Sequence, residues 1–151
     1  MEQVISNLHK RRKIMFYIIL SLALVAIIVD SVYQIGTTDY FDEQTRFYMV
    51  YGLIAYKLIE LTILYFFFYR RHMVKYHSTE HDDDLLAKFD KNAKRFLMLV
   101  PHGSVIFGVI SYKLTTNILF FLLFLTIAFT ALSLVKPKKF FDYAKSDKKS
   151  D

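Results

Sequence analysis

The chain has 151 residues, is 54% hydrophobic and 17% aromatic, and carries a formal net charge of +6 with no cysteine. The missing thiols exclude disulfides, thiolate metal sites, iron–sulfur clusters and cysteine nucleophiles. The apolar residues gather in four long blocks with nearly every charge between them, an arrangement that leaves too little chain for a water-soluble core and predicts an all-α integral membrane protein, a four-transmembrane-helix bundle.

The blocks cover about residues 14–33, 47–69, 96–112 and 116–135. A stretch of about 20 residues at 1.5 Å per residue matches the roughly 30 Å hydrocarbon core of a bilayer, and in lipid only helices satisfy their own backbone. The first block follows Lys10–Lys13 and is interrupted before its end only by Ser21 and Asp30. A secretory leader would need a shorter apolar region and small residues after it, and Asp30, Ser31, Val32, Tyr33 and Gln34 stand there instead, so the block is read as a retained span.

Orientation follows from the loop cations. Seventeen of the 20 Lys and Arg lie in the N-terminal tail, in the loop of residues 70–95 and in the tail of residues 136–151; the other two loops hold Arg46 and Lys113, and Lys57 lies inside the second block. The positive-inside rule therefore puts both termini in the cytoplasm, and the cations sort by membrane side rather than marking a nucleic-acid surface. Low Gly and Pro with high Lys, Phe, Tyr and Ile fits a prokaryotic cytoplasmic membrane.

The second block carries Lys57 and Glu60, three residues apart and so on one face of a helix near mid-span. Charges there are costly and must face protein or water, either as a relay or binding site or as an ion pair fixing helix packing. His102, after Pro101 in the third block, reaches a depth within roughly 5 Å of Glu60, so the expected intramembrane cluster is Lys57, Glu60 and His102. Ser104 and Gly108 make a small-residue patch for close helix approach. Asp30, sharing a face with Ala23 and Ala26, is expected to pair at the outer surface with Lys113 or Arg46.

Between the second and third blocks, Asp82–Asp84 and the later Lys91, Lys94 and Arg95 complement a helix macrodipole, and Leu85, Leu86, Phe89, Ala93 and Phe96 recur at helical spacing. The third helix is thus expected to extend about three turns into the cytoplasm, with the second continuing to about Tyr76, as a helical hairpin whose apolar seam needs a partner. His77 and His81, four apart, form a weak candidate metal pair, and a solvated polar turn explains them without metal. Past Pro137, Phe140, Phe141 and Tyr143 interleave with lysines, as expected of a segment on anionic lipid headgroups.

No glycine-rich phosphate loop, nucleophile elbow or second intramembrane histidine for a bis-histidine haem occurs, and the residues name no cofactor. The leading expectation is a non-catalytic subunit or accessory protein that associates with itself or with a membrane protein partner. The alternatives are an oligomeric channel or proton-linked transporter using Lys57, Glu60 and His102, and a small enzyme acting on a lipid or quinone.

Overall fold

The computed structural model describes residues 2–32, 40–78 and 83–135. These form four helical rods and, among the described residues, no strand. Helix α1 is Glu2–Val32, α2 is Glu43–Leu64, α3 is Arg71–Ser78, α4 is Asp83–Thr115 and α5 is Ile118–Leu134. A π-helical turn, Tyr65–Arg70, joins α2 to α3 without a break, so those segments make one rod. Three rods are long and apolar enough to cross a membrane; α5, at 17 residues, is apolar but shorter.

The element ends have local causes. Asp42 caps α2, its carboxylate accepting from the Thr45 backbone N–H at 3.0 Å and from the Thr45 hydroxyl at 2.6 Å. Between α4 and α5, Thr116 adopts φ 53°, and the Asn117 side chain accepts from Leu119 N at 3.0 Å to start α5. That short turn lays α5 back along α4, the most extensive helix pairing in the molecule. Gly108 makes the approach close: a Cβ there would sit 2.9 Å from the Phe121 ring and 3.2 Å from Phe124 Cβ. The small-residue patch of Ser104 and Gly108 thus receives the chain's own α5.

Helix α1 touches its neighbours along one narrow seam, with Ile5, Leu8, Ile19 and Ala23 buried and Arg12, Met15, Ala26 and Asp30 half-buried. Steps of three and four residues keep that seam on one side of a straight helix. The rest of α1 leaves Ile18, Leu24, Val25 and Ile28 exposed. Two polar links tie it to the bundle: Arg12 Nη1 donates to the Val135 carbonyl at 3.1 Å, and Asp30, near its C-terminal end, accepts from the Tyr112 hydroxyl. The first satisfies a carbonyl that the end of α5 leaves without an intrahelical donor.

The extended hairpin is present. The seam expected on α4 is buried at Leu86, Phe89, Ala93 and Phe96, in one cluster with Tyr69 from the second rod and with Ile5 and Leu8 from α1. Its partner is therefore the chain itself, on two sides. The π turn has a packing role. Lys57, Leu61, Tyr65, Tyr69 and Met73 recur every four residues, which in an α-helix runs about 40° ahead of a full turn at each step. The wider turn takes up that drift, so that Tyr65 still meets Phe96 (6.1 Å between ring centroids) and Tyr69 meets Phe89 (5.6 Å).

Candidate functional site

The charges of the second rod lie where α2 packs on α4. Lys57 is 1% exposed, and its Nζ donates to Glu60 Oε2 at 2.6 Å. The ammonium lies 5.4 Å from the centroid of the Phe107 ring, over an aromatic face that attracts cations. Gly103 opens the space it occupies: a Cβ on that residue would fall 2.7 Å from Nζ. The centre of the bundle is thus filled by a desolvated lysine head held by a carboxylate, a ring and a bare stretch of backbone. Gly103 and Phe107 carry no signal in a charge-based reading, because neither side chain is polar. The one legible cue is a glycine in the middle of an apolar helix.

Glu60 differs from its partner. Its side chain is 22% exposed, and Oε1 has no hydrogen-bond partner among the described residues. It shares a face of α2 with Tyr56, 55% exposed, and Ile63, 48% exposed. The carboxylate therefore reaches from the packed centre to the outer flank of the bundle.

His102 is not part of this cluster. Its Nδ1 lies 2.7 Å from the Met98 carbonyl, which can only accept, so Nδ1 carries the hydrogen. The residue is exposed and lines a cleft between α1 and α4. The expected depth match with Glu60 was a statement about height along the helices, and the rotation of α4 sets the two apart. Pro101 leaves the Leu97 carbonyl without its helical donor, but the carbonyl His102 takes is that of Met98, one turn behind it.

At the opposite end, the contact shown for Asp30 is the Tyr112 hydroxyl, one residue before the expected Lys113. The metal candidates fall outside what can be described: His81 lies outside the described residues, as does the side chain of His77, and the described residues hold no group of three or more potential metal ligands. The aromatic tail around Phe140 lies outside them too.

His72 makes a second polar contact across the hairpin. The Asn92 amide nitrogen lies 2.9 Å from Nε2; an amide N–H can only donate, so Nε2 accepts and the ring is neutral. Burial, then the charges of Arg71, Lys75 and Lys88, hold this imidazole below its usual range. No protein-family model, curated protein or solved structure matches this chain.

Proposed function

We propose that this protein is a four-span membrane protein with both termini in the cytoplasm, acting as a non-catalytic subunit or accessory protein whose α2 flank docks a second membrane helix. The membrane reading rests on two features. Large apolar side chains such as Leu24, Ile28, Ile59 and Ile106 are exposed around the rods, as a lipid solvent requires. Seven helix hydroxyls are satisfied within their own helix: Ser31, Thr62, Ser104, Thr115, Thr126, Thr130 and Ser133 each donate to the carbonyl four residues back, at 2.8–3.0 Å. Such internal bonding satisfies these donors without water; the buried Ser111 hydroxyl has no partner among the described residues. The orientation rests on the clustering of Lys and Arg at one end.

The observation that carries the docking role is Glu60. A carboxylate midway along an apolar rod, 22% exposed at the flank and with one oxygen unpartnered among the described residues, needs a donor from a neighbouring chain when the flank faces lipid. The filled space around Lys57 favours a packing role for the pair over a water-filled relay.

Because the chain has no native cysteine, Ile63→Cys provides a single crosslinking handle beside Glu60. Treated in native membranes with a short bismaleimide, it should shift from 17.9 kDa to a larger adduct, while Leu24→Cys on the exposed side of α1 should not. A protein that stays uncrosslinked at Ile63 and monomeric by intact-mass measurement in mild detergent would overturn the reading. So would proton flux in proteoliposomes that Glu60→Gln abolishes.

A further inference from the structure

We propose that the cleft between α1 and α4 is a binding site for a single anionic glycerophospholipid, with its phosphate at the Lys10–Arg11–Lys94 rim and its chains along the cleft floor. The proposal rests on the membrane reading above and adds to it a site and a ligand class.

The cleft has a volume of about 560 Å³ and is lined on α1 by Asn7, Lys10, Arg11, Ile14 and Met15, and on α4 by Lys94, Leu97, Met98 and His102. Its two ends differ in chemistry. The rim holds three cations and one amide. The floor holds Ile14, Met15, Leu97 and Met98, all apolar and flexible or branched. That sequence of surfaces matches an amphiphile with an anionic head, and basic pockets between membrane helices on the cytoplasmic side are suited to phospholipid headgroups. The rim also lies at the right height. Lys10 and Arg11 belong to the basic run that ends at the first apolar block, and Lys94 lies two residues before the third, so each sits where its rod would enter the bilayer.

The cations are available to an anion. Lys10 and Arg11 are exposed and have no side-chain partner among the described residues. Lys94 is ion-paired with Asp90, one turn back on α4, so the rim carries a net charge of two. Arg12, next in sequence, is already committed to the Val135 carbonyl on the far side of α1. His102 lies deeper. Helical side chains lean toward the N-terminus of their helix, which for α4 is the basic end, and the bond to the Met98 carbonyl holds the ring in that direction.

The probes are phosphatidylglycerol and phosphatidylcholine of the same chain composition, added to the full-length protein in mild detergent and read by intact-mass spectrometry and thermal shift. Phosphatidylglycerol should be retained as one molecule per chain and raise the melting temperature, and phosphatidylcholine should do neither. The Lys10→Gln/Arg11→Gln pair should weaken retention at least tenfold. Lys91→Gln/Arg95→Gln removes the same charge from exposed positions of α4 outside the cleft and should leave retention within twofold. Lys10→Arg/Arg11→Lys controls for folding and should bind like the natural chain. Equal loss in both Gln pairs, equal retention of the two lipids, or glycerol 3-phosphate alone competing as well as the lipid would overturn the site. Failure of the membrane reading is distinguishable: the protein would then leave the membrane fraction in carbonate without detergent, whatever it binds.

Discussion

Separating Lys57 from Glu60 should cost unequal amounts depending on which is removed. Glu60→Leu strands an ammonium that is 1% exposed and whose remaining neighbours are the Phe107 ring and the Gly103 backbone. Breaking a buried pair in this way costs about 3–5 kcal/mol in soluble proteins, and the residual ring contact sets the expectation at the lower end, about 3 kcal/mol. At about 2–4 °C per kcal/mol for a chain of this size, that is a fall of about 6–12 °C in melting temperature. Lys57→Met leaves behind a carboxylate that is 22% exposed at the flank rather than enclosed in the packed centre, so the loss should be smaller. Glu60→Gln keeps an acceptor for Nζ but removes the carboxylate's negative charge, so its loss should be intermediate. The Lys57→Met/Glu60→Leu double variant removes both charges and should recover most of the stability. Melting can be followed by circular dichroism in a single detergent, with coupling read from the complete double-mutant cycle. Coupling of about 0.5–3 kcal/mol is expected for Lys57 with Glu60, and additivity within about 0.5 kcal/mol for Glu60 with His102, which lines the cleft between α1 and α4. Additive losses for Lys57 and Glu60, or coupling of Glu60 to His102, would refute the packed-centre geometry.

Gly103→Ala should reverse sign with background: its methyl meets Lys57 Nζ at 2.7 Å and should destabilise the natural chain, whereas with Lys57→Ala the helix propensity of alanine should stabilise by about 0.5–1 kcal/mol, both read by thermal melting. The hairpin should loosen in mild acid. His72 has its folded-state pKa below the unfolded one, so its contribution is complete above the unfolded value and disappears as pH falls through the folded value; amide-exchange protection factors in residues 83–95, which normalise for the intrinsic rate, should fall over that window in the natural chain and stay level in His72→Gln. For orientation, Tyr40→Cys, at an 88%-exposed position, should react with an impermeant maleimide on intact cells, and Lys91→Cys only after lysis; the reverse pattern would overturn the assignment of sides.

Periodicity and charge order along the chain were enough to mark the four helices, the extension of α4 back to Asp83 and the run of the second rod past His72, because helix length and face are local properties of backbone spacing. The contact of Lys57 with Glu60 was legible for the same reason, since residues three apart on a helix meet whatever surrounds them. Contacts between helices depend on how each rod is rotated about its axis, and that is settled by packing over the whole seam. The rotation of α4 puts Gly103 and Phe107 against Lys57 and sends His102 to the α1 cleft, although all three stand within six residues. It likewise brings the hydroxyl of Tyr112 to Asp30, a contact that charge order along the chain does not announce. The π turn after Leu64 is a tertiary decision of the same kind: Tyr65 and Tyr69 have no local reason to leave α-helical geometry, and they do so where a four-residue stripe must stay on Phe96 and Phe89 of α4.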